Sequence, residues 1–165
     1  MTGHERSGWR DDDISLRHRC WGGLPQQDID ALVVGVGEQL SIFDHVWLEY
    51  GENHEPACLA ELKAENTPRD HHQDLALIAL AERAQLPAFL IRYWKAPQPA
   101  QAWHFYVFPL NQLAKEWVAG GLEMGEADLV WLLYKIRGRT PPDQVIRWLD
   151  GLVDPYDPDD PGRPF

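Results

Sequence analysis

Cysteine is scarce in this sequence of 165 residues, with Cys20 and Cys58 as its two examples. Two cysteines, one of them inside an apolar run, cannot build the disulfide framework of a small secreted protein, so we expect a reducing, cytoplasmic setting. No apolar run approaches the roughly 20 residues that a membrane-spanning helix needs. The polar N-terminal residues also lack the apolar centre of a signal peptide. The sequence therefore predicts no membrane partner.

Basic charge is also in short supply. The chain has 15 Lys and Arg residues against 26 Asp and Glu residues, which gives a formal net charge of −11. Nucleic-acid binding normally depends on an excess of basic side chains, so an extended DNA interface is excluded and phosphate contacts must come from a local patch. The hydrophobic share of 44% is, by contrast, that of a globular protein with a full core.

Changes in composition along the chain predict four segments. Residues 1–17 are polar and aperiodic, which favours a flexible acidic arm. Residues 18–110 combine apolar runs with helical patterns and predict an α/β core. Residues 111–153 predict a helical C-terminal extension packed on that core. Residues 154–165, DPYDPDDPGRPF, are rich in Asp and Pro and predict a disordered tail.

The stretch from Asp44 to Lys63 is the centre of the predicted core. Two apolar-rich runs flank the break GENHEP, as in a β-hairpin with a medium loop. The expected register pairs Tyr50 with Ala57, Leu48 with Leu59, Val46 with Glu61 and Asp44 with Lys63. Since opposite residues share a face of the sheet, Asp44, Glu61 and Lys63 would converge at one end of one face. A slip of one residue would move Asp44 to the other face.

An Asp, followed seventeen residues later by Glu61-Leu62-Lys63 and then by a helix, resembles the PD-(D/E)xK nuclease superfamily. The segments FDHVWLEY and ACLAELKAEN are most similar to its small resolvase-like and nuclease-related members. The resemblance spans residues 38–94. It implies a restriction-endonuclease-like α/β fold, with a mixed central sheet flanked by helices.

The resemblance also implies a metal-dependent nuclease that hydrolyses phosphodiester bonds, with DNA as the expected substrate and Mg²⁺ or Mn²⁺ as the cofactor. The implied metal ligands are Asp44, Glu61, the backbone carbonyl of Leu62 and, from the preceding helix, Glu38. Lys63 would stand beside the attacking water. Two other interpretations stay open: Glu38 as a solvated side chain near a helix end, and Glu61 with Lys63 as a salt bridge at a strand end.

A helix is predicted to follow the second strand of the hairpin. Thr67 is a hydroxyl N-cap, Pro68 suits the first helical position and Asp70 adds an acid in the first turn. Helical spacing would put Gln73 on the inward face, where the resemblance implies that it orients the attacking water or a phosphate. The inward residues expected beside it are Leu77, Leu80 and Ala84.

The candidate nucleic-acid contacts are basic residues and one histidine near this helix and the next strand: Arg69, His72, Arg92 and Lys95. Structural salt bridges would use the same arginines in an acidic protein, and this alternative stays open. His71 and His72 are predicted to lie at the surface, because adjacent helical side chains point about 100° apart and cannot form one metal site.

The rest of the chain gives a coarser pattern. Residues 26–40 carry one apolar stripe of a helix, although two glycines weaken it and Ala31–Val36 fits a strand as well. Strands are predicted at Pro87–Trp94 and Ala102–Leu110. Two C-terminal helices follow, the first ended by Gly138 and the second begun by Thr140-Pro141-Pro142-Asp143. Trp117, Trp131 and Trp148 are predicted to pack between helices, with base stacking or a dimer interface as alternatives.

Two other functions compete with the nuclease. A non-catalytic module that binds a protein, or imitates the charge of a nucleic acid, would suit the acidity and the many tryptophans; a homodimer or a protein partner is open in either case. A glycosidase also uses two carboxylates, but Lys63 in the same cluster makes it the third choice.

Overall fold

The computed structural model describes residues 26–29, 32–36, 39–43, 46–50, 55–65, 67–68, 71–95 and 103–150. The strands of these residues are β1 (Gln26–Ile29), β2 (Leu32–Val36), β3 (Gln39–Phe43), β4 (Val46–Tyr50), β5 (Pro56–Ala64), β6 (Ala88–Trp94), β7 (His104–Pro109) and β8 (Leu122–Gly125). The helices are α1 (His71–Ala84), α2 (Gln112–Lys115), α3 (Glu126–Ile136) and α4 (Asp143–Leu149). Over these ranges, no helix combines the length and apolar character that would let it cross a membrane. The predicted arm and tail lie outside the described residues.

Six strands form one mixed sheet in the order β1-β4-β5-β6-β7-β8, and β2 and β3 pair separately as an antiparallel hairpin. The two central strands, β5 and β6, are parallel, whereas the other neighbours in the sheet are antiparallel. Parallel neighbours need a crossover connection, and α1 provides it. The prediction of an α/β protein with a mixed sheet flanked by helices is therefore confirmed.

The alternation of β5 divides the core between the two faces of the sheet. Cys58, Ala60 and Leu62 face a large cluster that includes residues of β6, β7, β8, α3 and α4. Leu59, on the opposite face, packs in a smaller cluster with Leu77 and other residues of α1. Since successive side chains of a strand point to opposite faces, Glu61 and Lys63 lie on the α1 face.

The helix predicted over residues 26–40 is wrong. The described residues of this segment belong to β1, β2 and the start of β3, and the alternative of a strand at Ala31–Val36 is confirmed by β2. Glycine costs a helix up to about 1 kcal/mol per residue, and the β-branched residues Val33, Val34 and Val36 favour a strand. Pairing with β3 then decides the outcome, because all five residues of β2 have partners on β3 in the antiparallel ladder.

Helix α1 begins at His71, later than the start predicted at Thr67. The carbonyls of Thr67 and Pro68 instead accept hydrogen bonds from side chains of the sheet, Arg92 Nη1 at 2.8 Å and Lys63 Nζ at 3.3 Å. The connection between β5 and α1 is therefore held at Thr67 and Pro68 by two basic side chains.

Asn111 joins the end of β7 to the start of β6. Its Oδ1 accepts hydrogen bonds from the backbone amides of Ala88 and Ala114, at 3.1 and 2.9 Å, and its Nδ2 donates to the carbonyl of Leu86 at 2.8 Å. The same side chain is thus the N-cap of α2 and a bridge to the loop before β6.

The C-terminal helices lie where the sequence predicts them, but β8 was not predicted. This strand of four residues is too short to display an alternating pattern, and it begins after Gly121. A Cβ atom at Gly121 would collide with the Tyr106 hydroxyl on β7, so glycine allows the chain to pass close to the sheet here. The helix-packing role predicted for Trp117 and Trp131 is wrong, because their side chains are 44% and 36% exposed. The side chain of Trp148 lies outside the described residues.

Candidate functional site

The hairpin of β4 and β5 has the predicted register through most of its length. Leu48 pairs with Leu59, and Val46 pairs with Glu61. At the loop end the pairing differs: Tyr50 pairs with Pro56 instead of Ala57, because the register shifts between Glu49 and Tyr50. A bulge of this kind adds one residue to one strand, so the pairing on its loop side is offset by one residue, while the pairs from Val46 to Glu49 keep the predicted register.

Several candidate residues lie outside the described part of the chain. These are Asp44, Glu38, Arg69 and the side chain of His72. Their predicted roles stay predictions. The described candidates are Glu61, Leu62, Lys63, Gln73, Arg92 and Lys95.

Glu61 and Lys63 form the centre of the site. Both are more than nine-tenths buried, and Lys63 Nζ lies 3.4 Å from Glu61 Oε1. The ammonium group also donates hydrogen bonds to Gln73 Oε1 at 3.4 Å and to the Pro68 carbonyl at 3.3 Å. A buried ammonium group needs such acceptors, because desolvation of an unpaired charge is costly. Strand β5, helix α1 and the loop between them therefore hold Lys63 in one position.

The basic candidates Arg92, on β6, and Lys95, which directly follows β6, have different surroundings. Arg92 is opposite Lys63 in the parallel pairing, and its Nη1 donates to the carbonyls of Ala64, Glu65 and Thr67 at 3.5, 3.4 and 2.8 Å. Lys95 is exposed, and its Nζ lies 5.9 Å from the centre of the Trp103 ring, within cation–π range. Arg92 thus fixes the loop before α1, and Lys95 presents its charge at the surface.

Asp74 is a site residue that the sequence analysis missed. It is 5% exposed, lies in the first turn of α1 and contacts the carboxyl group of Glu61. The inward stripe of α1 contains Asp74, Leu77 and Ala81, whereas Ala84, predicted to be inward, is exposed. The spacing i, i+3, i+7 is visible in the sequence and would have found Asp74 if the stripe had been placed one residue later.

Burial raises the pKa of the Glu61 carboxyl from 4.5 to about 7. The positive charge of Lys63 lowers this pKa, while the neighbouring carboxyl group of Asp74 raises it. Two carboxyl groups can hydrogen-bond to each other only when one of them carries a proton. A cation could take the place of the proton that such a hydrogen bond requires.

The Glu61 carboxylate has one oxygen that can serve as a ligand of a metal ion. Glu61 Oε2 is buried and has no hydrogen-bond partner among the described residues, so it is available to a cation. Within the same ranges, no group of three or more His, Cys, Asp or Glu side chains is close enough to hold a metal. Mg²⁺ needs one or two carboxylates and completes its shell with water, so the described residues fit a hydrated Mg²⁺ ion.

An open pocket with a volume of about 470 Å³ lies beside the site. It is lined by one stripe of α1: His71, Asp74, Leu75 and Ile78. His71 is exposed, as predicted. Asp74 is therefore the described residue that contacts Glu61 on one side and borders an opening to solvent on the other.

We expect Glu61 to make the protein less stable as the pH rises from about 4.5 to about 7. The folded protein holds this proton more tightly than the unfolded chain does, so the stabilisation is complete below the lower pKa and is lost above the higher one. The full contribution to the free energy of unfolding is about 3 kcal/mol. Glutamine at this position does not titrate. The free energy of unfolding of Glu61→Gln should therefore rise relative to that of wild type as the pH increases over this range.

Urea unfolding of both proteins at a series of pH values, without divalent metal, measures this difference. Glu123→Gln is a suitable control, because the Glu123 side chain is 72% exposed. A constant difference between wild type and Glu61→Gln from pH 4.5 to pH 8 would show that burial does not perturb Glu61.

A buried ion pair on the opposite face of the sheet was also missed. Glu49 of β4 and Arg137, which follows α3, pair through their carboxylate and guanidinium groups, and both side chains are fully buried. Burial, together with the nearby positive charge of Arg139, lowers the pKa of Arg137 to about 9. Alternation along β4 puts Glu49 opposite Cys58 in the core, so its burial was predictable, whereas its partner was not.

Cys58 lies in the same region, and its thiol is free and buried. Burial raises the pKa of the Cys58 thiol to about 12, so it is neutral at physiological pH and unsuited to nucleophilic chemistry. Cys20 lies outside the described residues.

Comparison with known proteins gives no relative of this chain: no family model matches it, and neither a curated protein nor a solved structure matches it significantly.

Proposed function

We propose that this chain is a metal-dependent nuclease that hydrolyses phosphodiester bonds, with DNA as its substrate, at a site of the PD-(D/E)xK type. The observation that carries the proposal is the buried Glu61–Lys63 pair on one face of a central strand, with 3.4 Å between Oε1 and Nζ. The order of hairpin, crossover helix and parallel strand agrees with the restriction-endonuclease-like fold that the resemblance implies. That finer fold assignment is part of the proposal.

The proposed cofactor is Mg²⁺ or Mn²⁺. Glu61 would hold it through the oxygen that does not face Lys63, together with the Leu62 carbonyl, Asp44 and, from the segment before β3, Glu38. The cation supplies positive charge and lowers the pKa of a bound water, both of which phosphodiester hydrolysis requires. The buried carboxylate oxygen of Glu61 and the preference of Mg²⁺ for a few carboxylates support this choice.

The chain's own side chains then have separate tasks. Lys63 keeps a positive charge beside the position of the attacking water and the phosphoryl oxygens, where negative charge develops. Gln73 accepts a hydrogen bond from Lys63 and so positions its ammonium group. Arg92 acts indirectly: it holds the loop before α1, and the Pro68 carbonyl of that loop accepts a hydrogen bond from Lys63. Lys95, with Arg69 and His72, is the proposed contact for the phosphate backbone.

We expect Mn²⁺ to bind the full chain and Glu61→Gln to abolish that binding, because the substitution removes the central carboxylate and keeps its shape. Isothermal titration calorimetry at pH 8, where Glu61 is ionised, measures the affinity. Glu123→Gln, an exposed glutamate of β8, should bind like wild type. Equal Mn²⁺ affinity in wild type and Glu61→Gln would remove Glu61 from the metal site.

A second candidate function is a non-catalytic module that binds a protein partner. It is favoured by the net charge of −11 and by the exposed apolar side chains of Trp117, Leu122 and Trp131. In this alternative, Glu61 and Lys63 form a structural ion pair. Metal binding separates the two candidates, because the module has no need of a cation.

A further inference from the structure

Asp74 gives the site a carboxylate that the resemblance does not assign. We propose that Asp74 is a direct ligand of the catalytic cation, which it shares with Glu61 across the gap between α1 and β5. This inference rests on the proposed function, since it concerns the cation of the same site. It assigns the helix, as well as the hairpin, a part in metal binding.

The contact between the two carboxyl groups is the first step. Glu61 and Asp74 are both at least 95% buried, and their side chains lie within hydrogen-bonding reach of each other. Two carboxylates repel at such close range unless a proton or a cation lies between them. Lys63 Nζ contacts Glu61 through Oε1.

The second step is the other oxygen of Glu61. Oε2 is buried and accepts no hydrogen bond from any residue in the described ranges, so a binding position for a cation is left on the Glu61 carboxylate. A buried acceptor of this kind is costly in a folded protein unless something binds it. A divalent cation shared with Asp74 would satisfy it and remove the repulsion between the two carboxylates.

The third step is access. Asp74 borders the open pocket of about 470 Å³, whose other described lining residues are His71, Leu75 and Ile78. A cation bound to Asp74 would therefore be reached from the α1 side of the sheet, and its water ligands would face solvent. The scissile phosphate would enter by the same opening, past the first turns of α1.

The experiment measures Mn²⁺ affinity by calorimetry at pH 8 for wild type, Glu61→Gln, Asp74→Asn and Asp74→Ser. Both Asp74 variants should weaken Mn²⁺ binding at least about tenfold, a loss typical of a disturbed metal site. Serine keeps a small polar side chain at this position without a carboxylate, so Asp74→Ser serves as the second variant if Asp74→Asn does not fold. Asp128→Asn is the matched control, because Asp128 is an exposed aspartate in the first turn of α3.

The outcomes separate this inference from the function on which it rests. Mn²⁺ binding that is lost in Glu61→Gln but unchanged in a folded Asp74 variant overturns the role of Asp74 and leaves the nuclease proposal in place. A wild-type protein that does not bind Mn²⁺ overturns both. Weakened binding in the Asp74 variants with wild-type binding in Asp128→Asn supports Asp74 as a ligand.

Discussion

Lys63→Ala is expected to lower the rate of phosphodiester cleavage by about 10² to 10³, because it removes a positioned charge from the transition state. Both carboxylates of the Glu61–Asp74 pair are retained, so Mn²⁺ should still bind. The rate is measured under single-turnover conditions with saturating Mn²⁺, so that a change in metal affinity does not contribute. The effect should appear in the cleavage step and not in the amount of bound cation.

Lys135→Ala is the matched control, because Lys135 is an exposed lysine in the last turn of α3. It should cleave like wild type. A purely structural ion pair predicts another pattern for Lys63→Ala: a loss of about 1 to 3 kcal/mol in the free energy of unfolding, with no activity to lose. Full cleavage by a folded, metal-binding Lys63→Ala protein would remove Lys63 from the mechanism.

Glu49→Gln is expected to destabilise the protein by about 3 to 5 kcal/mol, because it leaves the buried guanidinium of Arg137 without its counter-charge. Arg137 follows α3 and Glu49 lies on β4, so the pair joins the end of α3 to the hairpin that carries the site. Urea unfolding at pH 7 gives the free energy. Arg137→Met alone should lower the free energy of unfolding by a similar amount, because it leaves the buried Glu49 carboxylate without a counter-charge.

The double variant Glu49→Leu/Arg137→Met should be more stable than either Glu49→Gln or Arg137→Met alone, because no charge is then left buried. Glu123→Gln tests an exposed pair instead: its partner His104 lies 3.8 Å away and both side chains are at least half exposed. We expect this variant to differ from wild type by less than about 0.5 kcal/mol. A Glu49→Gln effect no larger than that of Glu123→Gln would contradict the role of the buried pair.

The parts of the fold that sequence predicted well are those with strong local signals. Alternation and the apolar pairing of Leu48 with Leu59 were sufficient to find the hairpin register over most of its length. The long apolar run of β6 and the stripe of α3 were equally clear. These elements depend on burial patterns that extend over several residues.

The errors arose where a local pattern allows two structures or where long-range contacts decide. The stripe at residues 26–40 fits a helix, yet β2 is a strand because it pairs with β3. Thr67 and Pro68 are residue types that favour a helix start, but α1 begins at His71. The Thr67 and Pro68 carbonyls instead accept hydrogen bonds from Arg92 and Lys63. Long-range partners of this kind cannot be read from spacing along the chain.

The site residues that the sequence predicted best are those whose position follows from strand alternation. Glu61 and Lys63 were found because two residues on one strand must share a face. Gln73 was correctly associated with Lys63, whereas Asp74 was missed through an error of one residue in the helical stripe. The pairing of Glu49 with Arg137 joins residues distant in sequence, and no local pattern indicates it.

Cleavage of nucleic acid by the full chain tests the central claim most directly. The protein would be incubated with Mg²⁺ or Mn²⁺ and with linear duplex, circular duplex, single-stranded and branched DNA, and with RNA, beside Glu61→Gln as the matched inactive variant. We predict metal-dependent cleavage of at least one DNA substrate by wild type and none by Glu61→Gln. Absence of cleavage on every substrate, or equal cleavage by Glu61→Gln, would contradict the assignment of a nuclease site to Glu61 and Lys63.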